Sequence, residues 1–170
     1  LKPSGVEWLG DIPEHWETAP LKHLAKINSK VLYDSTEKNY TFKYLDISSV
    51  DTGFLVREPE TICFGQAPSR ARRILKKGDT IISTVRTYLK AVYHVANEIQ
   101  DWIASTGFAV LTPNNTIYPS FLGLLILRDC FINRVIQKSV GVAYPAISET
   151  QLGTLYLAYP ASIDEQRKIW

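Results

Sequence analysis

Methionine is absent from the 170-residue sequence, and cysteine occurs only twice. Because Cys63 and Cys130 are far apart, lie beside apolar neighbours and form no CxxC pair, we expect buried thiols in a reducing cytoplasm and no structural zinc. Since no Met stands even at position 1, we also expect the sequence to be a piece of a longer product.

Long apolar runs are missing as well. The longest fully apolar runs, such as Leu124–Leu127, are far shorter than the ~20 residues that a membrane-spanning helix needs. The turn-rich opening residues do not have the pattern of a signal peptide. We therefore expect a protein without a membrane segment, located in the cytoplasm.

Signatures of catalysis are also absent. The sequence has no Asn- or Asp-Pro-Pro-aromatic loop for a flipped adenine, no glycine-rich cofactor turn and no Walker lysine motif. His15, His23 and His94 have no carboxylate or cysteine at metal-ligand spacing, and Ser148 lies in no G-x-S-x-G elbow. We therefore expect no catalytic residue, no metal site and no cofactor bound by this chain.

Positive charge is concentrated in one short segment. The whole chain has 19 Lys and Arg against 17 Asp and Glu, a formal net charge of only +2. Between Arg70 and Lys90, seven basic residues face the single acidic residue Asp79, so the rest of the chain is net acidic. This distribution predicts one face suited to a polyanion, although charge on a solvated strand edge is the ordinary alternative.

The middle of the chain has the pattern of a β-sheet. An apolar content of 45% is enough for one ordinary core, so a single domain is the default. Alternating apolar residues and turn signals predict a hairpin, a strand-turn-strand element and further strands. These are Tyr40–Val50 with Gly53–Val56, then Ile74–Leu75 and Thr80–Val85 around the Lys76–Asp79 turn, then Tyr88–Val95 and Trp102–Leu111.

Helices are predicted mainly in the second half. Apolar residues spaced by three and four indicate one long helix over Ser120–Lys138. Ser148–Gln151 and Ser162–Glu165 match capping boxes, with a last strand over Leu155–Ala158 between them. We therefore expect an α/β (α+β) domain at residues 1–161, with a twisted, largely antiparallel sheet and one main helix. The start of a long helix follows at residues 162–170.

The basic segment supplies candidate DNA contacts. If Tyr88–Val95 is a strand, alternation places Arg86, Tyr88 and Lys90 on one side, with Leu89 and Ala91 towards the core. Arginine can bind a guanine edge, whereas lysines in a turn suit phosphate contact. The candidate DNA-binding residues are Arg70, Arg72, Arg73, Lys76, Lys77, Ser83, Arg86, Tyr88, Lys90 and Tyr144.

Five blocks of the sequence, in this order, resemble those of type I restriction-modification specificity subunits. They are SGVEWLGDIPEHW at Ser4–Trp16, ARRILKKGDTIISTVRTYLK at Ala71–Lys90, STGFAVL at Ser105–Leu111, GVAYPAIS at Gly141–Ser148 and IDEQRKI at Ile163–Ile169. The opening block resembles the first of two target-recognition domains.

This resemblance implies a DNA reader without catalysis of its own. Each recognition domain of such a subunit recognises one half of a split site, and long spacer helices, here from residue 162 onward, set the distance between them. The implied partners are double-stranded DNA, modification (methyltransferase) subunits and a restriction subunit. Those subunits use S-adenosylmethionine, ATP and Mg²⁺, and this chain uses none of them.

Two other functions remain open at this point. A protein-interaction module could use the basic segment to bind an acidic partner, and a nuclease domain could have an unrecognised site. Binding that weakens log-linearly with salt and prefers a specific duplex separates DNA recognition from the first alternative. Metal-dependent cleavage by the chain would favour the second.

Overall fold

The chain forms twelve short strands and four α-helices in a computed structural model that describes all residues, Leu1–Trp170. The strands are β1 (Lys2–Pro3), β2 (Asp11–Ile12), β3 (Trp16–Pro20), β4 (Ala25–Ile27), β5 (Thr41–Leu45), β6 (Glu60–Cys63), β7 (Ala71–Leu75), β8 (Thr80–Ser83), β9 (Val92–His94), β10 (Trp102–Ser105), β11 (Phe108–Pro113) and β12 (Tyr156–Pro160). The helices are α1 (Pro119–Leu127), α2 (Asp129–Lys138), α3 (Glu149–Gly153) and α4 (Ile163–Ile169).

The strands form two four-stranded and two two-stranded sheets. The orders are β6-β5-β10-β7, β4-β11-β8-β9, β1-β2 and β12-β3. Every pairing between these strands is antiparallel except that of β5 with β10. The predicted α/β class with largely antiparallel strands is therefore confirmed, with the strands divided among several sheets.

The two predicted β-turn units are confirmed only in part. Strands β7 and β8 flank the Lys76–Asp79 turn but belong to different sheets. The buried Asp79 links this turn to β11, because its carboxylate accepts hydrogen bonds from the Lys76 backbone N–H (3.0 Å) and from the Thr112 hydroxyl on β11 (2.8 Å). Strand β5 pairs with β6, and only an isolated bridge joins Val50 to Leu55.

The predicted strand over Trp102–Leu111 is two strands in two sheets. β10 and β11 are separated by Thr106 and Gly107, and the register of β10 shifts between Ala104 and Ser105. A Cβ atom on Gly107 would lie 2.5 Å from Cδ1 of Ile47, so the chain passes closely under this side chain. The link between the two large sheets therefore favours glycine.

The single predicted helix over Ser120–Lys138 is also two helices. Arg128 has extended backbone angles (φ −68°, ψ 137°), so it ends α1 and precedes α2. Helix α1 is apolar almost all round and buries Phe121, Leu122, Leu125 and Ile126, whereas α2 buries only one face. Because α1 is buried on nearly all sides and α2 on one face only, the break at Arg128 lets each helix pack in its own orientation. The negative charge of Asp129 suits the first turn of α2, where the helix dipole is positive.

Strand β8 lies between two hydrophobic cores. The main core has 20 buried residues, including Phe121 and Ile82, and involves α1 and α2. A second core of 9 buried residues includes Phe108 and Ile81. Because successive side chains of a strand point to opposite faces, Ile81 and Ile82 contact different cores. The loop that follows β8 is consequently held on a rigid strand.

Both predicted capping boxes are confirmed at their first residue. The Ser148 hydroxyl accepts a hydrogen bond from the Gln151 backbone N–H (3.1 Å) at the start of α3. The Ser162 hydroxyl accepts one from Glu165 (3.3 Å) at the start of α4. Each oxygen satisfies one of the N–H groups that a helix start leaves without a partner.

The expectation of two buried thiols is wrong. Cys130 is exposed and Cys63 is only partly buried. Cys130 is the second residue of α2, on its solvent side, while Phe131 beside it enters the core. No helix combines the length and the apolar composition needed to cross a membrane.

His94 makes stability depend on pH. Burial lowers the pKa of this imidazole, whose Nδ1 lies 2.9 Å from the Thr80 hydroxyl. Because the unfolded chain binds the proton more readily, the contribution of neutral His94 is complete above about pH 6.5 and is lost as the pH falls below it. The free energy of unfolding should thus decrease between pH 7.5 and 5.5 with a slope of at most ~1.4 kcal/mol per pH unit from this group.

Urea titrations at both pH values measure this effect. The His94→Asn variant keeps a polar atom near Thr80 but does not titrate, so its stability should change less with pH than that of the unmodified protein. Equal pH dependence of the two proteins would contradict the assignment to His94.

Candidate nucleic-acid interface

Residues 84–90 form a tight loop between β8 and β9. Thr87–Leu89 make one 3-10 turn, and both flanking residues, Arg86 (φ 46°, ψ 51°) and Lys90 (φ 54°, ψ 35°), are left-handed. The predicted strand over Tyr88–Val95 is therefore wrong at its start, and strand alternation does not place these side chains. Leu89, expected in the core, is exposed, whereas Ala91 is buried as expected.

The backbone at Arg86 and Lys90 is unfavourable for residues with a Cβ. A left-handed conformation costs a non-glycine residue about 1–2 kcal/mol, and glycine would adopt it freely. Hydrogen bonds from Leu89 to the Arg86 carbonyl (2.9 Å) and from Lys90 to the Thr87 carbonyl (3.1 Å) hold the turn. Strained residues of this kind cluster at functional sites. Two cationic side chains are therefore kept where glycine would be easier.

A second loop, residues 139–147, lies against the first. Thr87 and Ser139 share a hydrogen bond between their hydroxyls (2.7 Å), and the Ile147 N–H donates to the Thr84 carbonyl (2.9 Å). The Arg86 guanidinium lies 6.0 Å from the centre of the exposed Tyr144 ring. The structure thus brings together Arg86 and Tyr144, which are 58 positions apart in the sequence.

A third loop, residues 51–57, borders the first on its other side. The Thr52 hydroxyl donates to the Lys90 carbonyl (2.8 Å), and the Gly53 N–H donates to the Val92 carbonyl (2.8 Å). Phe54 and Val56 of this loop are exposed. Residues 51–57, 84–90 and 139–147 are called the three-loop surface below.

Arg70 and Arg86 line one cleft at the edge of this surface. The cleft has a volume of about 240 Å³ and is also lined by Val85 and Gly107. Arg70 donates to the Tyr44 hydroxyl (3.3 Å) and to Asp46 Oδ2 (3.3 Å). The hydrogen bond with Tyr44 and the charge of Asp46 raise the pKa of Arg70, so this guanidinium remains a fixed cation.

Three of the predicted contact residues lie away from the three-loop surface or inside the fold. Arg72 stacks on Phe64 with 4.7 Å to the ring centre and donates to Asp34. Arg73 is partly buried on β7, and burial lowers the pKa of its guanidinium. Ser83 is buried at the end of β8. We therefore leave these three out of the proposed interface.

Lys76 and Lys77 lie at the opposite end of β8 from Arg86. Lys77 forms an ion pair with Glu98 (3.2 Å). The Lys76 ammonium group lowers the pKa of Lys30. The basic segment of the sequence thus divides into two separate regions of the surface.

The sequence does not predict that several apolar residues of the candidate interface are exposed. Phe54, Val140 and Val142 are large apolar residues on the surface, where the sequence pattern alone does not place them. No three His, Cys, Asp or Glu side chains come together to hold a metal ion.

Two solved structures from type I restriction-modification systems resemble this fold closely. A chain from a study of complex assembly and conformational transition of the type I R-M system has 29% sequence identity and a TM-score of 0.82, covering 94% of this chain and 41% of that one. The HsdS subunit of Thermoanaerobacter tengcongensis has 32% identity and a TM-score of 0.79, with the same coverage. The type I S subunit of M. genitalium shares the fold, with 11% identity, a TM-score of 0.60 and coverage of 99% of this chain and 40% of that one.

Sequence comparison gives the same result. The specificity subunit of the type I restriction enzyme HindI from Haemophilus influenzae is 29% identical over 103 residues, which are 59% of this chain and 22% of that subunit. The chain thus spans about two fifths of the length of the solved relatives and 22% of the length of the HindI subunit. The family model of the type I restriction modification DNA specificity domain matches residues 13–170. The chain belongs to this family of DNA specificity domains.

Proposed function

We propose that this domain binds duplex DNA through the three-loop surface and recognises one half of a bipartite target. As a DNA specificity domain, the chain is a recognition component rather than an enzyme. The observation that supports this surface is the pair of cations Arg86 and Lys90 on left-handed backbone positions. Neither forms an ion pair within the chain. Both are therefore free for phosphate or base contacts.

The neighbouring residues suit a nucleic acid. Residues 84–90 and 139–147 contain no Asp or Glu, so nothing in these two loops repels phosphate. Tyr88 and Tyr144 are exposed beside the cations and offer stacking and hydrogen-bonding groups. Phosphate contacts fix position and contacts to base edges give specificity, and this surface has side chains for both.

The larger assembly follows from the family as a further part of the proposal. This domain is the first of two recognition domains of a specificity subunit, and α4 begins the spacer that continues from residue 162. Modification subunits methylate the DNA using S-adenosylmethionine, and a restriction subunit uses ATP and Mg²⁺. The chain itself binds none of these cofactors and works in the cytoplasm.

Selection of duplexes from a random pool tests DNA recognition. The 170-residue chain should enrich a short motif, and the affinity for that motif should fall log-linearly with salt as counterions are released. The selected duplex should compete better than a scrambled duplex of the same composition. Absence of an enriched motif, together with equal competition by polyglutamate, would instead support an acidic protein as the partner.

A further inference from the structure

The loop at residues 139–147 ends in a protruding apolar hairpin. Val140 is 81% exposed, Val142 104% and Tyr144 73%, although large apolar side chains in such numbers are usually covered. Tyr144 lies near a charged group, the Arg86 guanidinium. The hairpin tip therefore presents apolar groups that the chain itself does not cover.

This hairpin is firmly built. Val140 and Ala146 exchange two backbone hydrogen bonds (2.9 and 3.0 Å), and Ala146 also bridges to Val85. Gly141 has a φ of +123°, and a Cβ there would lie 3.0 Å from the Tyr144 carbonyl oxygen. Pro145 further restricts the return strand. The base of the apolar tip is thus fixed by backbone hydrogen bonds within the chain.

The charge around the hairpin indicates the partner. From Lys138 to Ser148 the chain contains no acidic residue, the Arg86 guanidinium lies beside Tyr144, and Lys138 ends the helix that leads into the loop. An apolar tip with cations near it and no acidic residue is complementary to a polyanion with an apolar interior. Duplex DNA has this property, because its phosphates enclose stacked bases.

We propose that the hairpin is a wedge, and that Val142 inserts between two stacked base pairs of the bound duplex. This inference rests on the proposed function and adds the mode of binding. Lys138 holds a phosphate beside the opened step, Arg86 contacts a base edge, and Tyr144 contacts the base that Val142 unstacks. Apolar wedges of other DNA-binding proteins open one base step and kink the duplex by about 20–90°.

The experiment uses the chain with the duplex selected above. Each adenine of that duplex is replaced in turn by 2-aminopurine, whose fluorescence rises on unstacking, and dyes at the two ends report bending by energy transfer. The unmodified chain should raise fluorescence at one position or at two adjacent positions and shorten the distance between the ends. The Val142→Ala variant should lose both signals.

A matched substitution controls for general damage to the surface. Tyr33→Ala removes an exposed apolar side chain that lies outside the three-loop surface and should keep both signals. Circular dichroism should show that Val142→Ala and the control variant fold. The Tyr144→Leu variant, which keeps an apolar side chain at the tip, should retain the bend.

The outcomes separate the wedge from the proposed function. Specific binding by the unmodified chain without unstacking or bending would overturn the wedge and leave DNA recognition standing. Unchanged bending by Val142→Ala, with weaker binding of this variant to the modification subunits, would also overturn it and assign the hairpin to a protein partner. Failure to select any duplex would instead remove the proposed function.

Discussion

Replacement of Gln166 by alanine should lower the free energy of unfolding by about 2–4 kcal/mol. Gln166 is fully buried where α4 meets the rest of the domain. Its Oε1 accepts a hydrogen bond from the Tyr118 N–H (2.6 Å), and its Nε2 donates to the carbonyls of Thr116 (3.1 Å) and Pro160 (2.8 Å). Alanine removes the partner of all three backbone groups, of which the Pro160 carbonyl is the most deeply buried, and a buried group without a partner costs about 1–3 kcal/mol.

Urea unfolding followed by circular dichroism measures this loss. Lys168→Ala, on the exposed side of the same helix, should change the free energy of unfolding by less than about 0.5 kcal/mol. A loss of less than 1 kcal/mol in Gln166→Ala would contradict the proposed role of the side chain in attaching α4.

The Gln166→Glu variant tests the hydrogen bonds themselves. Its carboxylate can still accept from Tyr118 but faces two carbonyl oxygens and cannot donate to them unless it is protonated. Burial and these oxygens should raise the pKa of the new carboxyl in the folded state. Stability should therefore be higher at low pH and should fall as the pH rises through that pKa.

Local signals in the sequence predicted local structure. The Ser148 and Ser162 boxes start helices because their hydroxyls need only residues three positions away. The role of Gln166 could not be predicted in this way, because its partners at Thr116 and Tyr118 are 50 and 48 positions away. Long-range pairing likewise places the two strands that flank the Lys76–Asp79 turn in different sheets, β7 beside β10 and β8 between β9 and β11.

The candidate site was predicted by composition and not by geometry. The charge pattern and the resemblance both pointed to residues 70–90, and Arg86 and Lys90 do lie together. Strand alternation was the wrong reason, because the loop is a turn between left-handed residues. Arg72 and Arg73 have the right chemistry for phosphate, but Phe64, Asp34 and burial on β7 engage them elsewhere. Exposure of a charged residue depends on its neighbours in space.

The second large effect concerns Arg86. Arg86→Ala should weaken binding to the selected duplex by about 1–3 kcal/mol, since it removes an unpaired guanidinium from the interface. Arg86→Gly should weaken binding equally but should stabilise the fold by up to about 1 kcal/mol, because glycine adopts the left-handed backbone freely. Binding titrations and urea unfolding of both variants therefore separate function from stability.

Lys77→Ala is the matched control for charge. It also removes one cation, but Lys77 pairs with Glu98 at the far end of β8. If Lys76 and Lys77 touch the DNA backbone, their alanine variants should weaken all duplexes about equally and lower the salt slope by about one each. If the interface is confined to the three-loop surface, these two variants should bind as the unmodified chain does.

Single-mismatch duplexes decide between a base contact and a phosphate contact for Arg86. We expect a base contact, because an arginine fork can bind the two acceptors of a guanine edge and Tyr144 lies beside the guanidinium. Arg86→Ala should then lose its preference at one position, so that the matched duplex and the duplex mismatched there bind alike, while mismatches elsewhere keep their usual cost of about 1–3 kcal/mol. A uniform loss of affinity across all duplexes would place Arg86 on phosphate, and base recognition would then belong to other side chains of the three-loop surface.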